Sequence, residues 1–192
     1  MDCEYWGKPV PGFGDPNAQV LVVGLAPGAH GSNRTGRMFT GDASGDFLFP
    51  ALYRAGFASQ PQASDREDGL TLKKLYITAV CRCVPPGNKP TRVEINNCMP
   101  FLVREVELLA NLRGIVALGG IAFNECVKML KNHFKTAMDK KPKFAHSQLF
   151  QFDDGIPWLL ASYHPSRQNT QTGRLTEEMF AGVWEQVNNL LS

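Results

Sequence analysis

Four short apolar runs constrain this chain more than any other feature. They are AQVLVVGLAP (residues 18–27), LYITAV (75–80), GIVALGG (114–120) and IPWLLA (156–161), and each gives way to Gly, Pro, Cys or a His-Pro pair. Runs of this length and composition are strands covered on both faces, as in a parallel sheet. Helical periods fill the intervals. GDFLFPALYRAGF sets Phe47, Leu48, Leu52 and Ala55 on one face and ends at Gly56, although Pro50 fits such a helix only in its first turn. Thr91 followed by Glu94 has capping-box spacing and opens a second helix. The residues after Gly120 are amphipathic, with Cys126 as a buried, inert thiol. The stretch before the fourth run has room for a hairpin arm, and a last helix brings Leu175, Met179, Val183 and Val187 nearly into line. Alternation of this kind predicts an α/β fold, a three-layer α/β/α sandwich around a central, mainly parallel four-stranded sheet. At 192 residues the chain holds one such domain, 1–192.

Composition excludes several classes. With 43% hydrophobic and 20% charged residues the chain is neither disordered nor a membrane span, and its N-terminus lacks the layout of a signal peptide. An intracellular monomer is expected. The net charge of +2 does not announce a nucleic-acid binder. Its placement says more: Arg34, Arg37, Lys89, Arg92, Arg167 and Arg174 all fall in loops or at helix starts, where converging loops would form a basic rim.

In a doubly wound sheet, ligands sit off the carboxyl ends of the strands. The four segments there are GLAPGAHGSNRTGRMFTGD, CRCVPPGNKP, LGG and YHPSRQNTQTGR, and three are rich in Gly, Pro, Asn, Arg and His. The first, residues 24–42, is longer than a connection requires, and its glycines allow amide N–H groups to turn toward a guest. No G-x-G-x-x-G, G-K-[ST] or G-x-S-x-G is present, which argues against a dinucleotide site, a P-loop or a hydrolase elbow.

GLAPGAHGSNRTGRMFTGDASGDFL together with HPSRQNTQTGRL closely resembles the two motifs of the uracil-DNA glycosylase superfamily, specifically family 5, the type B enzymes. The likeness extends to YWGKPVPGFGDP and PPGNKPT, and so covers nearly the whole chain. It implies a monofunctional glycosylase that flips deaminated bases out of DNA and removes them, uracil first, with hypoxanthine or xanthine as further substrates. The alternatives are a DNA-binding member with weakened catalysis and a glycosylase preferring mismatched thymine or hypoxanthine.

The resemblance also assigns roles, each with a plainer reading beside it. His164 would donate a hydrogen bond to the base carbonyl as negative charge builds there, or merely cap a strand. Phe39 would stack on the base, or belong to the core. Asp42 would hold water or stabilise the sugar cation, or cap a helix, or do both. Asn88 would bond the base or the water, or form a turn beside Gly87. Gly24, Leu25, Ala26 and Gly41 would line the base pocket. Ser166, Arg167, Gln168 and Asn169 would enter the minor groove, and Arg174, opening the last helix, would meet a phosphate together with that helix's amides.

Two departures matter. Ala26 and Pro27 stand where many superfamily members carry a polar residue that activates water, and Ala79 stands where family 4 relatives read uracil with an asparagine. Losing that amide should loosen discrimination between bases. Families 4 and 5 usually hold a [4Fe–4S] cluster. Cys83 and Cys98 fit its second pair, but the N-terminal C-x-x-C is missing, leaving only Cys3 and Cys81 to complete four thiolates. The expectation is that no cluster is bound and that the chemistry requires no cofactor.

Overall fold

In the computed structural model, residues 5–136 and 142–192 are described. Four parallel strands form the centre: β2 (Val20–Gly24), β3 (Leu75–Ala79), β4 (Gly114–Leu118) and β6 (Trp158–Ser162). Two antiparallel edge strands of two residues each, β1 (Phe13–Gly14) and β5 (Leu149–Phe150), bring the sheet to six strands in the order β1-β3-β2-β4-β6-β5. The four-stranded expectation therefore falls short by two edges, which are too short to carry a two-residue period. β5 is the hairpin arm.

Period-two alternation sorts the strands between two cores. Val20 and Val22 of β2 join Leu75, Ile77, Val116 and Leu160 in one core. Leu21 and Val23 join Ile115, Ala117, Leu159 and Ala161 in the other. Helices α2 (Ala43–Arg54) and α6 (Glu177–Leu191) cover the first face, through Leu48, Phe49, Leu52, Phe180 and Trp184. Helices α3 (Arg92–Leu108) and α4 (Gly120–His133) cover the second, through Ile95, Leu102, Phe123 and Cys126. Short helices α1 (Ser32–Thr35) and α5 (Arg167–Gln171) lie within the first and last strand-end loops.

Local signals behave as their chemistry requires. Thr91 and Glu94 make the reciprocal capping box. Gly56, at φ 81°, ends α2 with Gly56 N–H donating to Tyr53 O and Phe57 N–H to Leu52 O, a Schellman closure. Three expectations need correction. Pro50 sits well inside α2, leaving the Asp46 carbonyl without its usual amide partner. α6 begins at Glu177, capped by the Thr176 side chain, and its buried stripe is Phe180, Val183, Trp184, Val187 and Leu191, with Met179 facing out. Arg37 is no part of a basic rim. It is 3% exposed and forms a two-pronged ion pair with Asp68, at 2.8 and 2.6 Å, while its Nε donates to Thr40 at 3.0 Å. Burial opposes ionisation of Asp68, but its bonds from Arg37 and from the Leu70 and Ser64 amides prevail and hold the carboxyl well below its ordinary range.

The chain passes from β2 to β3 on one side and then back across to β4 on the other, so the connection reverses between β2 and β4. A crevice opens at such a reversal, and its position sets the site.

Candidate active site

A cleft of about 890 Å³ occupies that crevice, walled by Leu25, Ala26 and Gly28 after β2 and by Leu118 at the end of β4 with Gly119 and Gly120 beyond it. A smaller recess of about 120 Å³ continues from it, lined by Phe39, Ala79, Ser32 and Met38. Ala26, Gly28, Asp42, Ser44 and His164 line both. The two distant motifs therefore meet here: the Phe39 and His164 rings lie 5.7 Å apart, tilted by 30°.

Phe39 is held by an unusual backbone. Its φ of 54° is rare for a bulky residue and costs roughly 1–3 kcal/mol. The surroundings enforce it: Phe39 N–H donates to the buried Ser32 hydroxyl at 2.9 Å, and its carbonyl packs on Gly45, where a side chain would collide with it. At Gly24 a Cβ would come within 2.8 Å of the Phe39 ring, so only glycine lets the ring lie over the end of β2. Gly41, at φ 80°, is a turn between Phe39 and Asp42 and lines neither cavity.

Asp42 proves to be a cap, with Oδ1 accepting from Ser44 N–H at 2.9 Å and Gly45 N–H at 3.2 Å. Its other oxygen points toward Gly28 and Gly31, whose missing side chains make room for it. Its charge also reaches His164. Burial lowers the His164 pKa below the ordinary 6.5, and the Asp42 carboxylate opposes that shift only in part. At neutral pH the ring is uncharged and can donate one N–H.

A model of the Uracil DNA glycosylase superfamily matches residues 11–188. The chain belongs to that superfamily. It is 52% identical over 186 residues to the "Type-5 uracil-DNA glycosylase" of Thermus thermophilus, covering 97% of this chain and 82% of the relative. It is 47% identical over 190 residues to the Mycobacterium leprae protein of the same description, covering 98% and 81%. A "Type-4 uracil-DNA glycosylase" of Pyrobaculum aerophilum is 32% identical over 165 residues, covering 85% and 74%.

The other motif residues of this glycosylase-superfamily chain divide into two groups. Ser166, Arg167, Gln168 and Asn88 line the outer cleft but not the recess. Asn88 is exposed at φ 57°, in the turn beside Gly87. Ser166 also caps α5, its hydroxyl accepting from Asn169 N–H at 3.4 Å. Asn169 and Arg174 line neither cavity, and each has a partner within the chain. The Asn169 amide donates to the His164 carbonyl at 2.8 Å, and the Arg174 guanidinium lies 4.7 Å from the Tyr163 ring. Arg174 precedes α6 rather than opening it, and the first turn of α6 carries Glu177 and Glu178, which disfavour a phosphate.

The loop chemistry gave no warning of Ser44 and Ile121. Ser44 lines both cavities beside Asp42, and Ile121, 52% exposed, is an apolar side chain on the cleft wall. An apolar residue in the first turn of an amphipathic helix reads as core until the neighbouring loop is placed.

Cys98 and Cys83 lie close enough to Cys81 to influence its thiol. Burial first, then these neighbours, pushes the Cys81 thiol up to about 12. Cys81 is buried and Cys83 exposed, both beyond the end of β3. Among the described residues no group of three His, Cys, Asp or Glu side chains is arranged to hold a metal ion, and Cys3 lies outside them. Of the cysteines proposed for a cluster, Cys81, Cys83 and Cys98 fall among the described residues, and three thiolates are one short of a four-thiolate site.

Proposed function

We propose that this protein, acting as a monomer inside the cell, removes uracil from DNA by hydrolysing the N-glycosidic bond and leaving an abasic site. The observation that carries this reading is the approach of Phe39 and His164 at one recess on the carboxyl edge of the sheet. A base within a duplex is unreachable, so it is first extruded. Phe39 then stacks on it, a contact worth ~1–3 kcal/mol and indifferent to base identity. Bond cleavage sends the electron pair to the base and leaves an oxocarbenium-like sugar. The neutral His164 ring donates to the carbonyl where that charge collects. Asp42, with one oxygen committed to its cap, uses the other to stabilise the sugar cation and accept a proton from the water that adds to C1′.

Arg167, Gln168 and Ser166 face the vacated stack from the outer cleft, with Asn88 opposite. Neither motif contains a lysine, which favours hydrolysis over Schiff-base chemistry. Ala79 leaves the recess without an amide to read the base edge, which supports hypoxanthine and xanthine as further substrates. Every group in this scheme comes from the chain or from water, so the chemistry calls on no cofactor. Ala26 favours a second reading, a member that binds DNA without cutting it, because the end of β2 offers no polar side chain to the cleft.

Incubation with uracil-containing single- and double-stranded oligonucleotides decides between them. Release of free uracil with alkali-labile abasic sites, and no borohydride cross-link, is the expected result. Tight abasic-DNA binding without base release would replace the enzyme with the binding module.

A further inference from the structure

β6 ends at Ser162, so Tyr163 and His164 have left the ladder that fixes the strand. Two side chains take over. Downstream, the Asn169 amide holds the His164 carbonyl at 2.8 Å. Upstream, Tyr163 N–H donates to His146 Nδ1 at 3.1 Å. The rings of His146 and Tyr163 also stack, with centroids 4.9 Å apart and planes 16° from parallel, and the Arg174 guanidinium lies 4.7 Å from the same Tyr163 ring.

A backbone N–H can only donate, so His146 must keep Nδ1 unprotonated and carry its proton on Nε2. Burial helps by lowering its pKa below the ordinary 6.5, against a smaller opposing contribution from the Met179 backbone. His146 lines neither the cleft nor the recess. It therefore acts on the site only through the residue before His164.

We infer that His146 is a positioning residue for His164: it replaces the lost strand partner at Tyr163 and fixes the angle at which the His164 ring enters the recess. The inference rests on His164 being the donor to the base. Misplacing a reacting group by about 1 Å costs on the order of 100-fold in rate. His146→Phe keeps a ring against Tyr163 but has no acceptor, and His146→Ala has neither. Both are expected to lower kcat for uracil release by roughly 10- to 100-fold with KM within about twofold. His146→Asn places a carbonyl oxygen near the position of Nδ1 and is expected to recover most of kcat.

Thermal unfolding of all three variants separates positioning from loss of fold, since the Phe and Asn variants differ in the acceptor. A His146→Phe enzyme with the wild-type kcat, or a His146→Asn enzyme as slow as His146→Ala, would overturn the inference. If His164→Ala is inactive while every His146 variant runs at full rate, the proposed function stands and this inference alone falls. A wild-type protein that releases no base overturns both.

Discussion

Asp42 does two jobs with two oxygens, and substitution can separate them. Asp42→Ala removes the acceptor for Ser44 and Gly45, a loss of ~0.5–2 kcal/mol, and also a negative charge at the start of α2, worth a further ~0.3–1 kcal/mol. Asp42→Asn keeps an acceptor of equal capping quality and loses only the charge term. Unfolding in urea should therefore rank the Asn variant about 1 kcal/mol above the Ala variant. Neither loss unfolds a domain of ordinary stability, ~5–15 kcal/mol. In single-turnover base release the two should instead fall together, by ~100-fold or more, because both lack the carboxylate that assists water and the sugar cation. A shift in His164 cannot explain that fall. Removing the Asp42 charge lets burial lower the His164 pKa further and keeps the ring neutral. An Asp42→Asn enzyme within about threefold of wild type would refute the reasoning and reduce Asp42 to a helix cap.

Other perturbations follow from the same geometry. Arg37→Ala strands the Asp68 carboxylate without its cation and should destabilise the fold by ~3–5 kcal/mol in urea unfolding; an unchanged midpoint would contradict the buried-pair account. Ala79→Asn restores an amide beside the recess and should raise the uracil-to-hypoxanthine rate ratio by ~10-fold or more, with an unaltered ratio in a substrate panel counting against it. His164 and His146 both have folded pKa values below 6.5, so between that value and the folded value the unfolded chain binds more protons. Stability should hold above 6.5 and fall as pH drops through it, and the slope should be shallower in His164→Ala.

Legibility followed the range of the interactions involved. Strands β2, β3, β4 and β6, the capping box at Thr91 and the stop at Gly56 depend on neighbours a few residues away, and local pattern revealed them. The edges β1 and β5 escaped because two residues carry no period. α5 escaped because it has no buried face, only a serine cap on a run of polar residues. Arg37 looked like surface charge because its partner, Asp68, is 31 residues away and only the fold joins them. The association of Phe39 with His164 came from motif resemblance, since no local rule links residues so far apart. The uses of Asn169 and His146 were invisible for the same reason: each serves a backbone group, and backbone groups leave no mark in a sequence.

Single-turnover uracil release by His164→Ala, measured beside its affinity for abasic DNA, probes the shared recess most directly. Release should slow by ~100- to 1,000-fold, the cost of losing one preorganised donor, with abasic-site affinity unchanged. Equal losses in both, or base release at the wild-type rate, would contradict this.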